Sequence, residues 1–138
     1  MFKAALLTLA AGLAIAGPVA ASDVTGVWRT SERGGRIEIN RCGASICGKI
    51  VGGTSGPGEL TTDVKNKDAT LRSRSLNGLV IMKGFSGGPN DWTGGTIYNP
   101  NDGGTYKATV KLAAEDTLQV KGCVAPMLCQ TQTWKRLK

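Results

Sequence analysis

Three stretches of the chain alternate apolar and polar residues with a period of two. The clearest runs from Tyr106 to Leu112, and residues 36–40 and 117–121 repeat it. Because successive side chains of a β-strand point to opposite faces, this period predicts strands with one buried face. Less regular strand candidates are 25–31, 46–52, 79–85, 92–98 and 129–137. The pattern therefore predicts about eight short strands.

Tight turns separate these strands. Segments such as 87–90 and 99–104 are rich in Gly, Pro, Asn and Asp, the residues that favour turns. The prolines after residue 21 all fall between strand candidates, where they delete no ladder hydrogen bond: Pro57, Pro89, Pro100 and Pro126. Short turns predict an antiparallel meander, which can close into a barrel or fold into a sandwich. We expect an all-β fold, an antiparallel up-and-down β-barrel, because closure removes exposed sheet edges.

One segment, residues 53–78, interrupts the meander. Its first half is a Gly/Thr/Ser/Pro loop. Its second half predicts two helical turns that end at residue 74, with Asn66 or Asp68 as N-cap and Leu71 facing inward. Long excursions on small barrels often cover one end. We therefore expect a lid over one barrel mouth, with Leu71 and Leu76 buried against it.

The first 21 residues have the pattern of a secretory signal peptide. Lys3 precedes an apolar run that ends in small residues at Ala20 and Ala21. A membrane anchor is the alternative, but the apolar run is short for a bilayer and no positive cluster follows it. We predict cleavage after Ala21 or Ser22, a single barrel domain over 22–138 without a transmembrane segment, and a bacterial periplasmic or secreted location.

The four cysteines, Cys42, Cys47, Cys123 and Cys129, all follow the predicted signal peptide. An even number in an oxidising compartment indicates disulfides. A zinc site is the alternative, but the spacings are C-x4-C and C-x5-C, whereas zinc knuckles use C-x2-C. Each pair flanks a turn between two predicted strands, so we predict the bonds Cys42–Cys47 and Cys123–Cys129 and no metal site.

Composition narrows the chemistry and the partners. The 138 residues include no histidine, which removes the commonest general base and the Ser-His and Cys-His pairs. The formal net charge is +7, but the basic residues are spread along the chain and form no known nucleic-acid motif. We expect no cofactor and no nucleic-acid partner. A basic surface would favour lipid head groups or acidic glycans of the envelope.

The last predicted strand offers a polar lumen. Gln130, Gln132 and Trp134 share one face of it. If Trp134 points inward, two glutamines enter the lumen, where they would hold water or a ligand; if it points outward, both faces are mixed. The further aromatic candidates for ligand contact are Trp28, Trp92, Tyr98 and Tyr106. The alternative for these rings is packing in the barrel core.

Charged and polar side chains cluster in the insertion. Arg72 and Arg74 could clamp a carboxylate or phosphate. They could instead pair with Asp63 or Asp68 and hold the insertion shut, and we favour this structural role. Asp63, Asn66 and Asp68 also have calcium-ligand chemistry, but the EF-hand glycine is absent, so the cluster indicates capping and turn formation.

Five segments in this order resemble one family of small exported bacterial proteins: GVWRT, IEINRCGASICGKIVG, DVKNKDATLRSRSLNG, WTGGTIYNPNDGGTYKA and LQVKGCVAPMLCQTQTWKR. The family is the domain-of-unknown-function family 2147. The middle segment departs from it, with Lys67, Ala69 and Ser75 where the family usually has prolines. The resemblance implies a lipocalin-like or calycin-like barrel in the cell envelope, and the family carries no agreed activity.

Two classes of function fit these observations. The first is a non-enzymatic barrel that binds a small amphipathic or apolar ligand or an envelope component. The second is an inhibitor or interaction module whose loops contact another protein. An enzyme would need two carboxylates in one cleft, and Glu38 and Glu59 have no neighbouring acid in sequence. A deep lumen would favour the first class, and a filled core with ordered protruding loops the second.

Overall fold

A computed structural model describes residues 23–31, 34–53 and 61–138. The described strands are β1 (Gly26–Arg29), β2 (Arg36–Cys42), β3 (Ser45–Gly52), β4 (Val80–Lys83), β5 (Ser86–Gly87), β6 (Asp91–Asn99), β7 (Gly104–Ala114), β8 (Thr117–Ala125) and β9 (Leu128–Arg136). The predicted signal peptide at 1–21, its cleavage point and residues 54–60 of the predicted loop lie outside the described residues.

The strands form a closed antiparallel β-barrel of eight strands. Their order is β4-β3-β2-β1-β9-β8-β7-β6, and pairing of β4 with β6 closes the ring. The two-residue β5 pairs with β6 as a short addition. The prediction of an all-β, up-and-down barrel is confirmed, and each predicted strand corresponds to a strand of the barrel.

Buried and exposed residues alternate along the barrel strands, as predicted. In β7, Ala108 and Val110 are buried, whereas Lys107, Thr109 and Lys111 between and beside them are exposed. Large side chains fill the end of the barrel that carries the β2–β3 hairpin: Val24, Trp28, Ile39, Ile46, Phe85, Trp92 and Leu118. This end is therefore packed.

Two residue pairs and one arginine side chain join the first and last strands of the barrel, β1 and β9. β1 and β9 share two residue pairs, Trp28 with Arg136 and Arg29 with Lys135. Arg136 adds three hydrogen bonds, donating to the carbonyl oxygens of Thr25 at 2.7 Å, Asp23 at 2.6 Å and Glu115 at 2.6 Å. Its guanidinium also lies 4.3 Å from the centre of the Trp28 ring. A single arginine thus joins β1, β9 and the β7–β8 turn.

Both predicted disulfides are confirmed. Cys42–Cys47 bridges the β2–β3 hairpin, and Cys123–Cys129 bridges the β8–β9 hairpin. The second pair occupies directly opposed register positions, as expected for a bond across an antiparallel hairpin.

The insertion differs from the prediction in two respects. Its helical part is one 3-10 turn, Ala69–Leu71, capped by the Asp68 side chain, and not two turns. Leu71 is 37% exposed, so the prediction that it faces inward was wrong. Among the described residues of this segment, the buried ones are Asp63, Asn66 and Leu76. The single 3-10 turn buries none of its own residues, Leu71 included. Leu76 is buried as predicted.

Candidate ligand-binding cavity

A cavity of about 840 Å³ occupies the end of the barrel opposite the packed core. Its mouth is framed by the β6–β7 turn, the β8–β9 hairpin and the insertion, which contributes Thr61, Ser75, Leu76 and Asn77. Small-molecule sites in proteins have volumes of roughly 300–1,000 Å³. The barrel is therefore packed at one end and open to a small molecule at the other.

The cavity wall is apolar in the interior of the strands and polar near their ends. The apolar wall consists of Ile37, Ile50, Ile81, Ile97, Val120 and Trp134. The polar lining includes Asn77, Tyr98, Asn99, Asn101, Asp102, Tyr106, Gln130 and Gln132. Such a surface suits a molecule with an apolar part and a polar end.

Trp134 points into the barrel and brings both glutamines with it. The indole is 2% exposed, and its Nε1 donates a hydrogen bond of 2.9 Å to Oε1 of Gln132. Gln130, Gln132 and Trp134 all line the cavity. Of the two orientations considered for β9, the inward one is present.

Tyr98 connects the cavity wall to the insertion through a buried carboxylate. Asp63 has no exposed surface and accepts hydrogen bonds from the Tyr98 hydroxyl at 2.6 Å, Asn66 Nδ2 at 2.8 Å and Arg74 Nε at 2.9 Å. Burial acts to raise the pKa of Asp63, but these donors and the Arg74 charge outweigh it, so the pKa is lowered. Burial and the bond to Asp63 raise the pKa of Tyr98 to about 12.

Neither predicted arginine lines the cavity. Arg72 Nε donates to the backbone oxygen of Asn66 at 2.7 Å. Arg74 pairs with Asp63, and its guanidinium lies 5.7 Å from the centre of the Tyr98 ring. Arg74 thus makes the pair with Asp63 that the structural alternative named, whereas Arg72 contacts a backbone carbonyl of the insertion and neither aspartate.

Tyr106 and Asp102 form a second polar pair at the mouth. The Tyr106 hydroxyl donates to Asp102 Oδ2, and this bond raises the pKa of Tyr106. Asp102 Oδ1 also accepts from the backbone N–H of Gly104 at 2.7 Å. Among the described lining residues, Asp102 is the one charged side chain.

Trp28 and Trp92 lie in the packed core, outside the cavity lining. The Trp28 indole donates to the Val24 carbonyl at 2.9 Å, and the Trp92 indole donates to the Pro89 carbonyl at 3.1 Å. Alternation along a strand distinguishes inward from outward but not one end of a barrel from the other. The sequence therefore could not separate these rings from Trp134.

Sequence reasoning missed part of the rim. Val124, Met127 and Leu128, around the β8–β9 turn, line the mouth of the cavity. The signal that could have found them is an apolar run between two paired cysteines, where a polar turn is expected.

The described residues contain neither a metal-binding cluster nor a membrane-spanning helix. No group of three or more His, Cys, Asp or Glu side chains is placed to hold a metal ion in the segments that the structure covers. Within the same segments, no helix has the length and apolar character needed to cross a bilayer.

Comparison with known proteins gives a family and a fold. The sequence model of the family "uncharacterized protein conserved in bacteria (DUF2147)" matches residues 26–136. A solved protein of Helicobacter pylori, described as a member of the lipocalin family, superposes with a TM-score of 0.75 at 24% sequence identity, covering 84% of each chain. No curated protein sequence matches the chain. The structural likeness identifies a lipocalin-like barrel.

Proposed function

The chain belongs to the bacterial family DUF2147, and from that premise we propose that it is a non-enzymatic, exported barrel that binds a small amphipathic molecule in its lumen. The observation that carries this proposal is the cavity of about 840 Å³ inside a closed lipocalin-like barrel. An open lumen favours a ligand-binding role over an inhibitor whose core is filled.

The lining supports an amphipathic ligand. Ile50, Ile97 and Val120 offer apolar surface, and removing such surface from water stabilises by roughly 25 cal/mol per Å². Gln130 and Tyr106 would orient the polar end of the ligand near the mouth. Because the one charged described lining residue is the acidic Asp102, we assign this polar end as uncharged or cationic.

Export is part of the proposal. Two disulfides in a bacterial chain of this size suit the periplasm or the exterior, where thiols are oxidised. The mature chain would begin at Ser22 or Asp23. Intact mass measurement of the protein recovered from periplasm and medium tests this start; recovery of the full-length chain in the cytoplasm contradicts it.

A dye titration tests the lumen. The apolar dye N-phenylnaphthylamine, which fluoresces in apolar surroundings, should bind saturably to the purified protein. Gln130→Trp places a large ring in the cavity and should weaken dye binding at least about tenfold, or 1.4 kcal/mol. Thr131→Trp is the matched control, because Thr131 is the next residue of β9, is exposed and does not line the cavity. Equal dye affinity in both variants, or no saturable binding to the unmodified protein, refutes the proposal.

A further inference from the structure

The tip of the β8–β9 hairpin carries an exposed apolar cluster. Val124, Met127 and Leu128 are 67%, 92% and 64% exposed. They account for three of the large apolar side chains that the described residues leave open to solvent, and they lie within five positions of the chain. Clustered apolar exposure of this kind marks an interaction surface more often than scattered single residues do.

The hairpin tip is held in a fixed shape. The disulfide Cys123–Cys129 crosses its base, and Ala125 pairs with Leu128 beyond that bond. These constraints keep the three apolar side chains on one projecting turn. The disulfide and the strand pairing therefore keep these three side chains exposed.

Four exposed lysines lie on β7, β8 and the insertion. Lys107 pairs in register with Cys123, and Lys121 lies two residues before that cysteine; both side chains are exposed. On the insertion at the same mouth, Lys65 and Lys67 are also exposed. The ion pairs of the described segments involve none of these four lysines.

We propose that the cavity mouth docks on an anionic lipid surface, with the hairpin tip inserted at the level of the head groups. Three apolar side chains on a projecting turn suit a bilayer interface, which accepts a small apolar wedge without a matching shape. The exposed lysines on β7, β8 and the insertion complement anionic head groups. A protein partner would need roughly 800 Å² of matching surface on this side, far more than a hairpin tip presents.

Docking would place the lumen against the membrane. Val124, Met127 and Leu128 both form the exposed tip and line the cavity mouth. An amphipathic molecule could then pass between bilayer and lumen without crossing water. This consequence rests on the proposed function, whereas docking itself does not.

Vesicle sedimentation tests the docking surface. The purified protein should co-sediment with vesicles of mixed phosphatidylglycerol and phosphatidylcholine, and at least tenfold less with phosphatidylcholine alone. The double variant Met127→Glu/Leu128→Glu should lose at least tenfold in affinity for the anionic vesicles. Val80→Glu makes one such apolar-to-acidic change at an exposed residue of β4, across the barrel from the β8–β9 hairpin, and should bind as the unmodified protein does. Thermal unfolding of each variant shows that it is folded.

The outcomes are distinct from those of the dye titration. If the double variant binds anionic vesicles as well as Val80→Glu does, the tip is not the docking surface and the proposal fails. If the unmodified protein ignores both vesicle types yet binds the dye saturably, lipid docking alone is wrong, and a protein partner for the tip becomes the better hypothesis. If the unmodified protein binds anionic vesicles but does not bind the dye saturably, the proposed lumen function alone is refuted.

Discussion

Asp63 is the residue on which the insertion depends. Its buried carboxylate receives donors from the insertion and one, the Tyr98 hydroxyl, from a barrel strand 35 positions away. Its backbone N–H also donates to the Arg74 carbonyl at 3.0 Å. Burying a carboxylate without hydrogen-bond partners is strongly unfavourable. Burial of Asp63 is therefore coupled to formation of these hydrogen bonds.

Asp63→Asn should destabilise the protein by about 1–3 kcal/mol. The carboxylate accepts three hydrogen bonds with two oxygens, whereas an amide keeps one oxygen and has an NH2 donor in place of the other. Urea unfolding measures this loss. Asp91→Asn, at an exposed carboxylate of β6, is the control and should change stability by less than about 0.5 kcal/mol. Equal effects of the two substitutions would contradict the anchoring role.

The same carboxylate sets part of the acid sensitivity. The pKa of Asp63 is lower in the folded chain than the unfolded value of about 3.9, so its contribution is present above that pH. It is lost as the pH falls through the lowered pKa. Stability measured from pH 5 downward should therefore fall less steeply in Asp63→Asn than in the unmodified protein. Parallel curves would show that Asp63 titrates normally.

Tyr98 gives the corresponding signature at high pH. Its pKa of about 12 lies above the unfolded value of about 10, so its contribution holds below pH 10 and is lost as the pH rises through 12. The chain has two tyrosines, which makes phenolate absorbance easy to assign. Tyr98→Phe should remove the step near pH 12 and leave that of Tyr106. A step near pH 10 for Tyr98 would mean that its hydroxyl does not contact Asp63.

At the scale of elements, the insertion and the β6–β7 turn fit closely. Gly103 has a φ of +72°, and a Cβ added there would lie 2.0 Å from the backbone oxygen of Lys65. The conformation and the contact both require glycine. The insertion thus rests on a turn that lines the cavity mouth.

Gly103→Ala should destabilise the protein more than Gly43→Ala does. Gly43 lies in the β2–β3 turn with a similar φ of +62°, but a Cβ there would meet nothing within 4 Å. Both variants carry the backbone strain, about 1 kcal/mol or more, and only Gly103→Ala adds the collision. Hydrogen exchange should show faster exchange of the Asp63 and Leu76 amides in Gly103→Ala alone. Equal unfolding free energies would mean that the insertion does not press on this turn.

The elements show which parts of the structure a sequence can predict. Strands were predictable because one buried face imposes a period of two, and both hairpin disulfides followed from strands on either side of a turn. The position of Leu71 was predicted wrongly, since the local pattern assumed an apolar anchor for the insertion. Beside the buried Leu76, the anchor is the polar pair Asp63 and Tyr98, which lie 35 positions apart in the chain.

At the scale of the whole molecule, closure depends on the β1–β9 seam. Two residue pairs join these strands, and Arg136 supplements them with hydrogen bonds to three carbonyl oxygens. A guanidinium can reach several acceptors in one plane, whereas an ammonium is a single point charge on a flexible stem. The identity of residue 136 therefore matters beyond its charge.

Arg136→Lys should lower the free energy of unfolding by about 1–3 kcal/mol, because at least one of the carbonyl contacts is lost. Arg29→Lys, at an exposed residue of the same seam, is the matched control and should change it by less than about 0.5 kcal/mol. Chemical denaturation compares the two variants. If both behave alike, the seam is held by its backbone pairs.

The seam also fixes the order of events during synthesis. Its two sides are the first and last strands of the barrel, and the backbone N–H of Val27 donates to the Lys138 carbonyl, two residues after β9. A nascent chain consequently cannot complete its ring while any of β9 is still in the ribosome. Such long-range closure is slow compared with local pairing. The ring of a nascent chain with this topology therefore stays unclosed until β9 has been synthesised.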